Sequence, residues 1–190
     1  YYAGLILDWD VLNYAKNKTG FDALNELAYS YSTENNSPLF GAQLLSHSNA
    51  ISFGIDNVGG GNNGIDLGNG FNDQEKYMCL SNRNELAGLT APDGNDILQS
   101  LSYGPFNLEK DSTIVVSFAL HAADSLPQLI STASNSKQLY DNLNLGDFEV
   151  EITPTIRNAF SSRIYPNPAR NQFRVEVILS YSDQISFSLY

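Results

Sequence analysis

The sequence has few residues that could support disulfide, zinc or thiol chemistry. Its 190 residues include one cysteine, Cys79, and two histidines. A single cysteine excludes an internal disulfide framework and a zinc site built on cysteine ligands. Cys79 lies among apolar neighbours in the segment KYMCLS, where a thiol is usually buried and unreactive. We therefore predict that Cys79 is structural.

Charged residues are also scarce, and they are unevenly distributed. They make up 16% of the chain, against about 25% in an average soluble domain. Residues 1–150 carry 18 acidic and 6 basic side chains, a net charge of −12, whereas residues 151–190 carry 3 and 4, a net charge of +1. A surface as acidic as that of residues 1–150 repels phosphate groups. We therefore predict no nucleic-acid partner and no attraction to an anionic membrane. No apolar run approaches the roughly 20 residues of a spanning helix, so we also predict no membrane insertion.

The chain does contain a series of short strand patterns separated by turn residues. Residues 2–11 form an apolar run, and in residues 26–32 Leu27, Tyr29 and Tyr31 alternate with smaller or polar residues. Further candidates are LFGAQLLS, AISFGID and a strand in which Ile114, Val116, Phe118 and Leu120 share one face. Residues 13–24 lack such alternation and predict a loop. This series is typical of a mostly β protein, and we predict a jelly-roll-like β-sandwich with one or two flanking helices.

Two segments have the pattern of helices. The segment FNDQEKYMCLSN predicts a short helix capped by Asn72 or Asp73, because Asn and Asp side chains accept hydrogen bonds from the first amides of a helix. Apolar residues then recur three or four positions apart from Leu126 through Leu129, Ile130 and Ala133 to Tyr140, with Pro127 in the first turn. That spacing predicts a second helix that packs on the sheet by this face.

The two histidines show no sign of a catalytic role. His47 and His121 each follow a candidate strand, and neither lies in a sequence motif that places a base beside a nucleophile. We predict that both make ordinary hydrogen bonds at strand ends on the surface. We accordingly predict no catalytic residue and no bound cofactor.

A loop rich in glycine and asparagine spans residues 56–70, with six Gly in fifteen residues. Its GGGNNGID segment does not directly follow a strand and open a helix, as the glycines of a dinucleotide-binding loop must, and the composition of the loop predicts an irregular, mobile segment. An alternative is a ligand-contacting loop, because glycines let a ligand approach the backbone. Exposed tyrosines such as Tyr14 or Tyr103 would then stack on sugar rings.

A pair of carboxylates follows the first candidate strand. Asp8 and Asp10 are two residues apart in LDWDV, so on a continuing strand both point to one face. Two close carboxylates repel unless a cation or hydrogen-bond donors lie between them. Calcium is one possible occupant, with Asn17, Asp22 and Glu26 as further oxygen ligands. The alternatives are a solvated strand end and, less favoured, a hydrolase that uses this or another carboxylate pair.

The pattern changes near the end of the chain, at RIYPNPARNQFRVEV. Here Tyr165, Pro166, Asn167 and Pro168 precede a short polar turn, after which Phe173, Val175 and Val177 alternate with polar residues. This segment resembles the start of the C-terminal sorting domain of proteins exported by the type IX secretion system of Bacteroidetes. The resemblance implies a small Ig-like β-sandwich, export to the outside of the cell or to its surface, and the type IX machinery as a partner. The family's later strands and basic terminal segment are not present.

The change of pattern and charge divides the chain into three predicted parts. They are a β-sandwich module (residues 1–146), a connector (147–162) and the first part of a sorting domain (163–190). Proline fixes its own φ and restricts the residue before it, which favours a separable unit after the connector. Since the chain opens on Tyr1 without a methionine, we expect it to be a piece of a longer polypeptide.

The larger part also resembles an accessory β-sandwich module of such secreted proteins. The resemblance lies in LDWDV, NGFNDQEKY, YGPFNLEKDSTIVVSFAL and LYDN. In that family the module often lies beside a subtilisin-like peptidase domain, whose catalytic motifs are absent from this sequence. The resemblance implies a non-catalytic accessory module of a larger exported protein. The alternative function is a carbohydrate- or protein-binding module.

Overall fold

The computed structural model describes residues 1–143, 161–165 and 174–178. The chain separates into two compact units, Tyr1–Phe148 and Glu149–Tyr190. The first unit contains the strands β1 (Ala3–Leu7), β2 (Asn17–Asp22), β3 (Leu27–Ser32), β4 (Leu39–Leu44), β5 (Ile51–Asp56), β6 (Ile97–Tyr103) and β7 (Phe118–Ala123). Its helices are α1 (Asp73–Ser81) and α2 (Leu126–Asn142).

The strands form two antiparallel sheets. The first sheet has the order β1-β6-β5, and the second has the order β2-β3-β4-β7. Strand β6 lies against β2, β3 and β4 of the other sheet. A mostly β unit with two antiparallel sheets and two helices is compatible with the predicted β-sandwich.

The core between the sheets is built from small and aliphatic residues. Its buried members are Ala28, Ala42, Leu44, Ala50 and Leu101, and Phe21, Val116 and Phe118 pack around them. A buried polar group lies in the same layer. The fully buried side-chain amide of Gln99 donates to the Gly20 carbonyl at 3.0 Å and to Ser52 Oγ at 3.1 Å, and its oxygen accepts from Ser30 Oγ at 3.3 Å. Strands from both sheets are thereby linked.

Each sheet has a helix on its outer face. On the second sheet, Leu129 and Ala133 of α2 pack against Leu27, which confirms the predicted helix and its apolar face. On the first sheet, Phe53 of β5 packs with Cys79 of α1. Because alternate residues of a strand point to opposite faces, both faces of both sheets contribute to cores.

Helix α1 begins at the predicted cap. The Asn72 side chain accepts from the amides of Gln74 and Glu75, and the Glu75 side chain accepts from the Asn72 amide. This reciprocal pair is a capping box, which satisfies amides that the helix itself leaves without partners.

Two predictions about strands were wrong in position. Residues 13–24 were predicted as a loop but contain β2, whose Asn17 and Thr19 are buried although polar. Hydrogen bonds replace apolar contacts there, because Asn17 bonds to Val11 and Thr19 bonds to the carbonyl of Glu85. Strand β7 begins at Phe118 rather than near Ile114, and Leu120 is exposed.

The second unit contains two described strands, β8 (Ser161–Tyr165) and β9 (Arg174–Ile178). They pair antiparallel, with Tyr165 opposite Arg174. Strand β9 contains the alternating Val175 and Val177. Strand β8 begins within the predicted connector and ends at Tyr165, the first residue of the Tyr-Pro-Asn-Pro motif, so β9 is not the first described strand of this unit. Residues 166–173, with Pro166, Asn167, Pro168 and Phe173, lie outside the described residues.

In the part of the chain that the structure describes, no helix combines the length and the apolar character that a membrane span requires.

The contact between α2 and the second sheet can be tested by truncating one side chain. We expect Leu129→Ala to lower the free energy of unfolding by about 2–5 kcal/mol, because it leaves a cavity at a fully buried position. The matched control is Leu139→Ala on the same helix, where the side chain is 59% exposed and the change should stay within about 0.5 kcal/mol. Urea denaturation of the full chain measures both. Equal losses would contradict the assigned face of α2.

Candidate functional site

Three carboxylates meet where β1 ends and β6 begins. The oxygens of Asp8, Asp10 and Asp96 lie within 4.8 Å of one another, and we call these three residues the carboxylate cluster. The antiparallel pairing of Leu7 with Gln99 brings the residues after β1 beside the residue before β6. Between the first two, Trp9 turns the other way and stacks on Phe40 at 5.4 Å. Asp8 and Asp10 therefore share one side of the chain, as their spacing predicted.

The cluster is electrostatically strained at Asp8. Partial burial raises the pKa of the Asp8 carboxyl above its ordinary value, and the charges of Asp10 and Asp96 raise it further. Asp96 has one donor of its own, because Asn57 Nδ2 donates to its carboxylate at 2.7 Å. Three such oxygens suit a hard cation, although calcium takes six to eight ligands in proteins. Sequence reasoning missed Asp96, because only the pairing of β1 with β6 brings it to the pair.

The other predicted calcium ligands do not join the cluster. Asn17 bonds to the amide and carbonyl of Val11, and Asp22 accepts from the amide of Asn25 at 2.8 Å. The Glu26 carboxylate accepts from the amides of Asn49 and Ala50, both at 2.7 Å. These side chains are bonded to other backbone groups, so the predicted set of five oxygen ligands is not assembled.

The glycine- and asparagine-rich loop is irregular, as predicted, but it is fixed at several points. Asp56 at its start is 4% exposed and accepts from Gly88 N, Asn95 Nδ2 and Asn62 Nδ2 at 2.7, 2.8 and 2.9 Å. Farther along, Ile65 is buried in the core beneath α1. The loop is thus attached to its surroundings by a buried carboxylate and a buried side chain.

The histidines differ from one another, and the prediction for His121 was wrong. His121 lies within β7 on the face beneath α2 and is 7% exposed. Its Nε2 lies 3.0 Å from Gln43 Oε1, and an amide oxygen only accepts, so Nε2 donates. Burial lowers the pKa of His121 below its ordinary value. His47 follows the end of β4, is half-buried and bonds to the Val115 carbonyl at 2.9 Å.

The prediction of a buried, unreactive Cys79 is confirmed. The thiol is fully buried, and burial raises its pKa to about 11. A thiol with so high a pKa is almost wholly protonated at neutral pH, and the thiolate is the nucleophilic form.

The two tyrosines that were predicted to be available for stacking differ in exposure. Tyr14 is 58% exposed. Tyr103 is half-buried, and its ring stacks on His47 at 4.0 Å and on Phe106 at 5.9 Å between centroids. Tyr103 is therefore engaged by protein rings, which contradicts its prediction as an exposed stacking residue.

A second candidate site is an open groove of about 580 Å³ beside the outer face of the second sheet. We call it the tyrosine groove. The residues that matter for its chemistry are Tyr29, Tyr31, Glu34, Asn35, Asn36 and Asp124. They come from β3, from the turn after it and from the segment before α2. Sequence reasoning placed both tyrosines on a half-buried face, but it did not bring Asp124, from a distant segment, to the same groove.

The stability of this unit should depend on pH through His121. Folding lowers the pKa of His121 below its unfolded value of 6.5. As the pH falls toward and below 6.5, the unfolded state therefore binds more protons than the folded state. The free energy of unfolding then decreases as the pH falls. We expect His121→Gln to flatten this dependence between pH 7.5 and 5.5. Urea denaturation across this range measures it. An unchanged slope in His121→Gln would show that this histidine does not titrate as its burial requires.

For the carboxylate cluster, the predicted change of stability with pH has the opposite sign. Because folding raises the pKa of Asp8 above 3.8, its contribution to stability is present at low pH and is lost as the pH rises through the raised value. Asp8→Asn should therefore stabilise the chain at pH 7 in a buffer with a chelator, whereas Asp93→Asn, at an exposed site, should have little effect. Thermal unfolding of both variants is the measurement. Loss of stability in Asp8→Asn would mean that the native fold uses this charge.

No protein family, no curated protein and no solved structure matches this chain. Its function must therefore be inferred from its own residues and their geometry.

Proposed function

We propose that residues 1–146 are a non-catalytic accessory module of a larger secreted or cell-surface protein, with a jelly-roll-like sandwich. Residues 163–190 are the first part of an Ig-like sorting domain that directs export through the type IX secretion system. The observation that carries this proposal is the Tyr165-Pro166-Asn167-Pro168 motif and the strand β9 that follows it, with Val175 and Val177 in alternation.

The non-catalytic role is supported by how the reactive groups of the module are used. Cys79 is buried with a raised pKa, and His121 is buried and bonded to Gln43. His47 is stacked on Tyr103 and bonded to a carbonyl. Nucleophilic catalysis needs a base in reach of a nucleophile, and these contacts bind the best candidate bases to structural partners. A hydrolase that uses Asp8 and Asp10 is the less favoured alternative.

Charge and composition support a location outside the cell. The unit before the motif carries almost all of the chain's negative charge, and its polarity comes largely from uncharged Asn, Ser and Gly. The net charge of −12 on residues 1–150 repels phosphate, which disfavours a nucleic-acid partner. The partner that the motif implies is the type IX machinery. This machinery would recognise residues 163–190 and export the module that precedes them.

A second candidate function for the module is the binding of a carbohydrate or a protein. The tyrosine groove favours it, because aromatic rings and amide or carboxylate groups line the same depression. A binding role is compatible with the accessory role, since an accessory module commonly serves by holding a target near another domain.

Export can be tested in a Bacteroidetes host that produces the full-length natural protein. We expect the protein in the medium or on the cell surface of the wild-type strain, and in the periplasm of a strain without the type IX outer-membrane channel. Replacing both Pro166 and Pro168 by alanine should reduce export several-fold, whereas Pro92→Ala in the first unit is the matched control. Immunoblots of separated fractions provide the measurement. Equal export from both strains would refute the sorting role.

A further inference from the structure

We propose that the tyrosine groove binds a neutral glycan chain, with Tyr29 and Tyr31 as the stacking surface. This inference rests on the binding role given above as the second candidate function. Its evidence is the position of the two rings, the way in which the sheet supports them, and the polar groups around them.

The two rings are neighbours on one face of β3. Tyr29 and Tyr31 are two residues apart, so both point away from the sheet interface, and their centroids are 6.2 Å apart with a tilt of 34°. Both side chains are half-buried and line the groove. A sugar ring has an apolar face of C–H groups, which are attracted to the negative face of an aromatic ring. Two adjacent tyrosines offer places for two consecutive sugars.

A glycine on the neighbouring strand β2 leaves the space that the Tyr29 ring occupies. Gly20 of β2 pairs with Tyr29, and the hydroxyl end of the Tyr29 ring lies directly over it. A Cβ at Gly20 would lie 2.4 Å from Cζ and 2.5 Å from the hydroxyl oxygen of Tyr29, which is closer than any packed contact. On its other flank the ring packs against the core of α2. The ring is held in place before a ligand arrives, which reduces the entropy lost on binding.

The rest of the groove supplies hydrogen-bonding groups for hydroxyls. Asn35, Asn36 and Asp124 are exposed and line the groove. Among the described residues their side chains have no hydrogen-bond partner, so these amide and carboxylate groups are available to a ligand. Burial raises the pKa of Tyr29, and nearby Tyr31 and Asp22 raise it further, so its hydroxyl stays protonated at neutral pH and can donate.

Charge selects against acidic sugars. The groove contains the carboxylates of Glu34 and Asp124, and none of the described residues that line it is basic. Lys16 lies near but is paired with Glu34 at 3.3 Å. A uronate or sulfate would be repelled by these carboxylates and by the net charge of the unit. The structure therefore favours a neutral polysaccharide.

The binding test uses the purified full chain and a panel of immobilised polysaccharides: cellulose, xylan, mannan and the acidic polygalacturonate. We expect retention on at least one neutral polymer and none on polygalacturonate. No retention on any of the polymers, or retention on polygalacturonate alone, would overturn the proposal.

Variants then locate the site on the neutral polymer that binds. Tyr31→Ala should weaken binding about tenfold or more, and Tyr14→Ala, at an exposed tyrosine outside the groove, should leave it unchanged. Gly20→Ala keeps Tyr29 but displaces its ring, and it should weaken binding too. Equal binding by Tyr31→Ala and the parent chain would overturn the assignment.

Two surface variants keep the test independent of folding. Asn36 has a φ of 58°, which glycine adopts without strain, so Asn36→Gly removes the amide and preserves the turn. Asp124→Ala removes an exposed carboxylate. The double variant should bind several-fold more weakly at an unchanged melting temperature, and unchanged binding would count against the groove. Sugars released from the bound polymer would support the site and contradict the non-catalytic role, while the export test bears on the sorting segment alone.

Discussion

The architecture of the first unit depends on one buried amide. Gln99 lies between the sheets with no exposure and is bonded to Gly20, Ser30 and Ser52. An amide in a dry interior that loses its partners costs about 1–3 kcal/mol for each group left unsatisfied. A shift of either sheet by one residue would separate Gln99 from its partners. The hydrogen bonds of Gln99 thus favour one alignment of the two sheets. Hydrophobic contacts between Ala and Leu side chains alone would specify that alignment less sharply.

That alignment positions both candidate sites. With Ser30 directed toward Gln99, the neighbouring Tyr29 and Tyr31 must point outward to the groove, because strand residues alternate. In the other sheet, Gln99 belongs to β6, and Asp96 immediately precedes the first residue of that strand. The polar interior and the two surface features are consequently linked through β3 and β6.

Local features of this fold could be predicted from the sequence, and non-local ones could not. Helix α2 and the Asn72 cap depend on spacing and on neighbouring residues, and so does the burial of Cys79. Strand β2 was missed because Asn17 and Thr19 are buried through hydrogen bonds, Asn17 to Val11 and Thr19 to Glu85 in a distant segment, and a polar residue carries no sign of such partners. The misplacement of His121 has the same origin, since its partner Gln43 is on another strand. Bringing Asp96 to the carboxylate cluster and Asp124 to the groove likewise required the strand pairing.

The one thiol of the chain makes the closure of α1 over its sheet observable. Cys79 lies on the buried face of that helix with no exposed surface, so a thiol reagent can reach it only when the helix separates from β5. Its rate of modification therefore reports the frequency of that local opening. Because no second cysteine competes, the wild-type chain carries its own single-site reporter of motion in this layer.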